Sequence, residues 1–167
     1  MKNIVIIGGT KGIGKAIVSE VVDNYNVVCL SRNQTDFSHD NYTFHNFDAL
    51  VDDYPDLDSV DCLIYCPGSI NLKPISTLSL DDFRNDFELN VIGAVRAIKK
   101  YLNLLKKSES ASILLFSTVA TKLGMPYHAS VSVAKSGIDG LVKTLGSELA
   151  PKVRINAIAP TITNTEL

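Results

Sequence analysis

The chain has 167 residues, which is enough to bury a hydrophobic core and too few for several domains, so we expect a single domain over residues 1–167. Hydrophobic residues make up 46% of the chain and charged residues 20%, as in an ordinary globular protein. The net charge of −2 excludes the basic surface typical of proteins that bind nucleic acid or an anionic membrane. The first residues do not resemble a secretory leader, so the cytoplasm is the expected location.

The three cysteines, Cys29, Cys62 and Cys66, fall within predicted strands. No His or Cys residues accompany them at the spacing of a metal site, so we expect buried free thiols and no metal. Free thiols are typical of a reducing compartment, which agrees with the expected cytoplasmic location.

The chain opens with an apolar run at residues 4–7, which predicts a strand buried on both faces. A glycine turn follows, and then a helix to about residue 24 with Ile13, Ile17 and Val21 on one face. Glycines allow a sharp turn close to a pyrophosphate, and the free N–H groups of the helix attract the anion. The predicted dinucleotide-binding loop consists of Gly8, Thr10, Lys11, Gly12, Ile13 and Gly14. A tight turn with a purely structural role is the alternative.

Apolar strands alternate with helices along the rest of the chain. The further strands are predicted at residues 27–30, 42–47, 62–66, 112–116 and 154–159, and the further helices at residues 50–54, 79–107 and 130–149. Because the strands are apolar runs without period-two alternation, they indicate a parallel sheet that helices cover on both faces. The predicted fold class is α/β: a Rossmann-type, doubly wound parallel sheet in a three-layer αβα arrangement.

The helix predicted at residues 79–107 has a clear start signal. Ser79 can cap its first turn, and Asp81 and Asp82 lie where carboxylates suit the helix dipole. The apolar side of this helix is predicted at Phe83, Phe87, Val91, Val95, Ile98 and Leu102. The helix at residues 50–54 is the weakest of the set, since a proline stops it almost at once.

With these elements in place, the chain resembles the short-chain dehydrogenase/reductase family over essentially its whole length. The resemblance rests on the glycine loop, a Gly after the fourth strand, an Asn in the long helix and the stretch around the sixth strand. It implies that Asp48 and Ala49 lie beside the adenine ring. It also implies cofactor contacts at Gly68, at Pro160 and, near the nicotinamide, at Thr165.

The chain departs from the family pattern before the glycine loop and at the fourth strand. Ile7 stands where the family has Thr. Tyr65, Cys66 and Pro67 replace the family's Asn-Asn-Ala, so only Gly68 carries over there.

The choice of cofactor follows from charge at the end of the second strand. A carboxylate there would hold a ribose diol and repel a 2′-phosphate, but this chain has Ser31 and Arg32. Lys11 belongs to the adjoining glycine loop, and two cations with a hydroxyl can bind a phosphate. Similar family members with this pair use NADP. We therefore predict NADP(H); the alternative is that either cation is only a solvated surface charge.

The catalytic residues of the family are only partly present. In the family a Tyr transfers the proton, a Lys four residues later lowers its pKa and binds ribose, a Ser orients the carbonyl, and an Asn holds a water. The resemblance assigns Lys135, Asn90 and Thr118 to the Lys, Asn and Ser roles. The Tyr position is Val131, and an isopropyl group cannot donate a proton.

Three interpretations of Val131 stay open. Tyr127 or His128, just upstream, could replace the phenol, although either could be only a surface or dimer-contact residue. Alternatively, Lys135 or an ordered water delivers the proton. In the third interpretation the protein binds NADP(H) without turnover, as a sensor or interaction protein. We favour an oxidoreductase for a small carbonyl or alcohol, because most cofactor-facing residues are retained.

The resemblance implies two further properties. Similar proteins continue into a helical substrate lid and a seventh strand, so we expect this sequence to be truncated and do not name its substrate. The helices at residues 79–107 and 130–149 would form a four-helix dimer seam, in which Ser136, Gly137 and Gly140 permit close approach. A homodimer or homotetramer is therefore predicted.

Overall fold

A computed structural model describes residues 1–165, which contain one six-stranded sheet with every strand parallel to its neighbours. Residues 166 and 167 of the predicted domain lie outside the described residues. The strands are β1 Asn3–Ile7, β2 Asn26–Ser31, β3 Tyr42–Asn46, β4 Cys62–Tyr65, β5 Ala111–Phe116 and β6 Val153–Ile158. Their order across the sheet is β3-β2-β1-β4-β5-β6.

The strand order reverses direction at the middle of the sheet. From β1 the chain moves outward to β2 and β3, then returns to β4 on the other side of β1 and moves outward to β5 and β6. The connections after β1 and β4 therefore leave in opposite directions and open a crevice at the carboxyl ends of the strands. Ile7 lies in register between Leu30 of β2 and Tyr65 of β4, so these three strands end together at the crevice.

Helices cover both faces of the sheet. They are α1 Gly12–Val21, α2 Leu80–Phe87, α3 Gly93–Leu105, α4 Ala120–Leu123 and α5 Ala129–Leu149. One hydrophobic cluster joins Leu63 of the sheet to Tyr101 of α3 and Ile138 of α5. A second cluster joins Ile6 to Val18 of α1. The predicted three-layer, Rossmann-type α/β fold is confirmed.

The helix predicted at residues 50–54 is wrong. The chain makes a single turn there, in which the Asp52 N–H donates to the Asp48 carbonyl. The Asp48 carboxylate accepts a further hydrogen bond from the Leu50 N–H, and the Arg96 guanidinium donates to the Leu50 carbonyl. These partners satisfy the backbone groups that a helix would have used, so the turn does not extend.

The helix predicted at residues 79–107 begins as expected but does not continue unbroken. The Ser79 hydroxyl accepts a hydrogen bond from the Asp82 N–H, and the Asp82 carboxylate accepts one from the Ser79 N–H, which forms a capping box. The predicted apolar side is buried at Val91 and Ile98 but differs in α2. In α2 the buried residue is Asp86, whereas Phe87 is exposed.

The interruption is a π turn at Glu88–Ile92, between α2 and α3. A π turn inserts one extra residue and leaves backbone groups without their usual helical partners. Two phenols supply donors here. The Tyr65 hydroxyl donates to the Leu89 carbonyl over 2.7 Å, and the Tyr54 hydroxyl donates to the Gly93 carbonyl over 3.4 Å. The wide turn is therefore stabilised by the sheet and the loop beneath it.

Gly137 of α5, predicted to belong to a dimer seam, is half-buried and approaches the π turn of its own chain. A Cβ at Gly137 would lie 3.0 Å from the Val91 side chain of the π turn. The glycine therefore lets α5 approach the π turn closely. A Cβ at Gly140 would meet nothing within 4 Å, so that part of α5 is open.

Smaller differences concern the ends of elements. Helix α1 stops at Val21 rather than near residue 24, and its buried residues are Gly14 and Val18. The short helix α4 was not predicted. Within residues 1–165, no helix has the length and apolar character needed to cross a membrane.

Replacing Gly93 by Ala should destabilise the protein, because the added Cβ would coincide with the Tyr65 hydroxyl. Overpacking of this kind costs about 1–3 kcal/mol, and displacing the phenol would also deprive the Leu89 carbonyl of its donor. The matched control is Gly140→Ala, for which helix propensity predicts a gain of up to about 1 kcal/mol. Urea unfolding of both variants measures the difference. Equal effects would contradict the close approach of Tyr65 to the start of α3.

Candidate functional site

The glycine loop after β1 makes a tight turn that fits a bound phosphate. Gly8 and Gly12 have φ angles of 77° and 50°, which residues with a Cβ rarely adopt. A Cβ on Gly14 would collide with the Gly8 carbonyl, so α1 begins in contact with the end of β1. Lys11 is the N-cap residue, but its side chain makes no capping bond and the first turn holds no acidic residue. Within residues 1–165, no side-chain capping bond satisfies the first N–H groups of α1.

Gly9 belongs to this loop, although sequence reasoning did not select it. A Cβ at Gly9 would lie 2.8 Å from the Cys29 sulfur and 3.0 Å from the Val18 side chain, so only glycine lets the loop lie this deep. Two adjacent glycines directly after a buried strand were the available signal. Cys29 is a free, buried thiol whose pKa is raised by that burial. Ile13, also predicted for the loop, is half-buried and packs against the core on the α1 side.

The residues predicted to select a 2′-phosphate lie beside the glycine loop. The hydroxyls of Thr10 and Ser31 are hydrogen-bonded over 2.7 Å, which joins the loop to the end of β2. Lys11 and Arg32 are exposed, and neither takes part in an ion pair within residues 1–165. The Arg32 carbonyl accepts a hydrogen bond from the Asn46 amide, which holds the backbone after β2. The loop thus carries the exposed Lys11, and the strand hydrogen-bonded to it through Ser31 is followed by the exposed Arg32.

The remaining predicted cofactor contacts lie on both sides of this loop. Ala49 is buried and Asp48 turns its carboxylate onto its own turn, at the end of β3. The Pro160 carbonyl, after β6, accepts a hydrogen bond from the Val119 N–H. The Thr165 side chain lies 3.4 Å from the Cβ position of Gly12, so the end of the described chain returns to the glycine loop.

A second cluster lies after β4 and joins Gly68, Asn90 and Lys135. The Asn90 Oδ1 and Lys135 Nζ atoms lie 3.3 Å and 3.5 Å from the position of a Gly68 Cβ. A side chain at residue 68 would therefore occupy the space between an amide oxygen and an ammonium group. Gly68, Asn90 and Lys135, all predicted site residues, therefore form one cluster.

Lys135 is a buried amine that has one hydrogen-bond partner among residues 1–165. It is 8% exposed, and its Nζ donates to the Phe116 carbonyl over 2.7 Å. Burial lowers the pKa of Lys135 to about 8, while the nearby Cys66 and Asp86 act in the opposite direction. An amine with a pKa near neutrality can both hold and release a proton at physiological pH.

Asn90 lies in the π turn and is 1% exposed. Its amide nitrogen donates to the Asp86 carbonyl over 2.8 Å and to the Ser69 hydroxyl over 3.1 Å. Its Oδ1 atom has no hydrogen-bond partner among residues 1–165. A buried acceptor without a partner, beside an ammonium group, is suited to a bound polar molecule. Sequence reasoning missed Ser69 and Asp86. The available signal was that Asp86 lies at helical spacing from Asn90.

Thr118 and Val131 border this region on the sides of β5 and α5. The Thr118 hydroxyl accepts a hydrogen bond from the Ala120 N–H over 3.3 Å, which leaves its own O–H free to donate. The neighbouring Ser117 hydroxyl donates to the Lys135 carbonyl over 3.5 Å. Val131 is 5% exposed, so the position where the family has its phenol holds a buried isopropyl group.

Tyr127 and His128 are not drawn into the cluster. Tyr127 has a positive φ of 65° and a side chain that is 60% exposed. His128 uses its Nδ1 atom to donate to the Pro126 carbonyl over 2.6 Å. Within the described residues, neither side chain is hydrogen-bonded to Lys135 or Asn90.

Comparison with known proteins gives a match over nearly the whole chain. The family described as short chain dehydrogenase matches residues 2–167. A 3-oxoacyl-acyl-carrier-protein reductase of Synechocystis is 31% identical over 109 residues, which make up 65% of this chain and 44% of that reductase. The chain thus spans less than half of the length of this curated relative.

Solved structures share the fold described above. Aldohexose dehydrogenase of Thermoplasma acidophilum superimposes with a TM-score of 0.90 at 24% identity, covering 99% of this chain and 68% of that one. ElxO with NADP bound superimposes with a TM-score of 0.87 at 26% identity, covering 99% of this chain and 75% of that one.

The pKa of Lys135 predicts how stability depends on pH. Its folded-state pKa of about 8 is below the ordinary value of 10.5, so the unfolded chain binds more protons between these pH values and the free energy of unfolding rises with pH. Relative to Lys135→Met, which removes the titration, the unsubstituted protein should gain about 3 kcal/mol from about pH 8 to about pH 10.5. Urea unfolding of both proteins across this range measures the gain. A constant difference would contradict the burial of a titrating amine.

Proposed function

Because the chain belongs to the short chain dehydrogenase family, we propose that it is an oxidoreductase that uses NADP(H) to reduce a small carbonyl compound or oxidise the corresponding alcohol. The observation that carries this proposal is the position of two clusters at one edge of the sheet. The phosphate-fitting loop follows β1, and Gly68, Asn90 and Lys135 meet after the neighbouring strand β4. Dinucleotides bind across this kind of crevice.

The charges beside the glycine loop support NADP(H) rather than NAD(H). Lys11 and Arg32 are exposed cations without ion-pair partners within residues 1–165, and the Thr10 and Ser31 hydroxyls lie between the loop and the end of β2. A 2′-phosphate would gain charge-assisted hydrogen bonds there, whereas a plain ribose diol would not use the cations. The binding of NADP by the structurally similar ElxO agrees with this choice.

The described residues can supply the proton chemistry of a carbonyl reduction. When bound, reduced nicotinamide supplies the hydride for the carbonyl carbon. The Lys135 ammonium, with a pKa of about 8, would give a proton to the carbonyl oxygen. The Thr118 O–H would donate a hydrogen bond to the same oxygen, and the Asn90 Oδ1 would accept one from a polar group beside Lys135. In alcohol oxidation the neutral amine would take the proton back.

Tyr127 and His128 are the competing proton donors. The exposed Tyr127 phenol and the His128 ring, bonded to the Pro126 carbonyl, lie at the start of α5 without a hydrogen bond to Lys135. Lys135 is therefore the donor in this proposal, and Tyr127→Phe and His128→Ala should each leave most of the turnover intact.

A protein that binds NADP(H) without turnover is the second candidate, and Val131 is the observation that favours it. The residue is buried where the family has its phenol, so the usual acid is missing. Such a protein would act as a sensor or an interaction partner. The two candidates share a cofactor site and differ only in turnover.

We also propose a homodimer or homotetramer built on α2 and α5. A shallow groove between these helices is lined by Phe83, Phe87 and Val133, of which Phe87 and Val133 are exposed. Apolar side chains on two adjacent helices suit contact with a second copy.

The free thiols Cys29, Cys62 and Cys66 support a location in the reducing cytoplasm.

The double variant Lys11→Ala, Arg32→Ala should weaken NADPH binding about 100-fold and change NADH binding by less than about threefold. The reason is that each lost charge-assisted contact is worth about 1.5–3 kcal/mol, and NADH lacks the 2′-phosphate. Calorimetric titration with both cofactors measures the two affinities. The control is Lys15→Ala, which removes an exposed cation of α1 and should leave the affinities for NADPH and NADH unchanged. Equal losses for both cofactors would contradict phosphate selection.

Val131→Tyr tests the enzyme proposal against the sensor alternative. The substitution should raise turnover at least about tenfold on a panel of ketones, aldehydes and enones, because a positioned general acid contributes about 10²–10⁴-fold. Val131→Phe has nearly the same bulk without the hydroxyl and is the matched control. Cofactor absorbance gives the rate. Tight NADPH binding with no turnover in the unsubstituted protein or either variant would instead support the sensor.

A further inference from the structure

Asp86 is a fully buried carboxyl near the end of α2. A buried carboxylate is strongly unfavourable unless hydrogen bonds and nearby positive charge compensate its desolvation. Sequence reasoning and the family resemblance assign no role to it. Its surroundings therefore need an explanation beyond helix packing.

The carboxyl group binds the loop that connects β4 to α2. Its Oδ1 atom accepts hydrogen bonds from the Ser69 hydroxyl over 2.5 Å and from the Asn71 amide over 2.9 Å. The hydrogen bond from the Ser69 hydroxyl is as short as a charge-assisted O–H···O bond. Ser69 follows Gly68 directly and Asn71 lies two residues further on, so Asp86 holds the loop segment that continues from Gly68 beside Lys135.

Asp86 is connected to Asn90 in two ways, through its backbone carbonyl and through its carboxylate. The Asn90 amide nitrogen donates to the Asp86 backbone carbonyl over 2.8 Å and to the Ser69 hydroxyl over 3.1 Å. Ser69 thus donates to the carboxylate and accepts from Asn90. A change at Asp86 would loosen the loop and the Asn90 side chain together.

Lys135 is the positive charge in this neighbourhood. The charged or titratable groups that act on its amine within residues 1–165 are Cys66, from the loop after β4, and Asp86, from α2. On the side of β5 the amine meets only the backbone carbonyl of Phe116. Ionised Asp86 opposes the effect of burial on the pKa of Lys135.

We propose that Asp86 is a positioning residue of the site: its buried carboxyl group fixes Ser69 and, through it, Asn90 beside Lys135, and its charge acts on the Lys135 amine through space. The proposal rests on the proposed function, since it gives Lys135 the role of proton donor. A purely structural role would explain the hydrogen bonds to the loop equally well. The two roles differ in what happens to the Lys135 amine when the charge of Asp86 is removed.

The test is the titration of the Lys135 amine, followed by nuclear magnetic resonance of the full chain labelled at lysine. The signal is assigned by its absence in Lys135→Met. Asp86→Asn keeps the shape of the side chain and removes its charge, so the midpoint should move to lower pH by about half a pH unit or more. The pH–rate profile should shift by the same amount in the part that reports the titration of Lys135. The affinity for NADPH should stay within about threefold of that of the unsubstituted protein.

Two further variants separate charge from structure. Asp81→Asn removes an exposed carboxylate on the same helix, paired with Arg84, and should leave the midpoint unchanged. Ser69→Ala keeps the Asp86 charge and breaks the link to Asn90, so kcat should fall about tenfold with no change in the midpoint or in the KM for NADPH.

An unchanged midpoint in Asp86→Asn, or an equal shift in Asp81→Asn, would overturn the proposal. The titration needs no substrate and is read on the protein alone. Absence of NADPH binding or of turnover would therefore refute the proposed function while the comparison of midpoints still decides the role of Asp86. If Asp86→Asn did not fold, the Ser69→Ala result would decide: an unchanged kcat there would refute the positioning role.

Discussion

The reversal of strand order between β1 and β4 is the constraint on which the candidate site depends. Adjacent parallel strands end at the same edge of a sheet, so the chain segments after β1 and β4 must meet there. Pro67 of the second segment lies 3.2 Å from the Cβ position of Gly8 in the first. The phosphate-fitting loop and the cluster of Gly68, Asn90 and Lys135 are thus neighbours because of topology, although they are far apart in sequence.

Within this cluster, polar and charged groups are buried at the junction of α2, the π turn and α5. Asp86 offsets part of the effect that burial has on the pKa of Lys135. The irregular backbone is likewise satisfied, since the Tyr65 hydroxyl donates to the π turn and the Asn90 amide donates to the Asp86 carbonyl. Two departures from the family pattern lie on elements of this junction: the Tyr65 hydroxyl donates to the π turn, and Val131 is buried in α5, the helix that carries Lys135.

Local patterns were predictable where a short stretch of sequence contains all the interacting groups. The Ser79 cap is of this kind, because its partner Asp82 lies three residues away. The predicted helix at residues 50–54 was wrong because Arg96, distant in sequence, binds the Leu50 carbonyl. The π turn was missed for the same reason: the Tyr65 hydroxyl that stabilises it comes from β4.

The sequence by itself determined the fold class and the alternation of strands and helices, since apolar periodicity is a local property of the chain. It also predicted a phosphate-binding role for the glycine loop and, through resemblance, roles for Lys135 and Asn90. Only the tertiary structure decided that Lys135 is buried and that, within residues 1–165, neither Tyr127 nor His128 is hydrogen-bonded to it. It also decided that the Asp86 carboxylate is linked to Asn90 through Ser69. Burial and through-space charge depend on which elements pack together, and no single stretch of sequence contains that information.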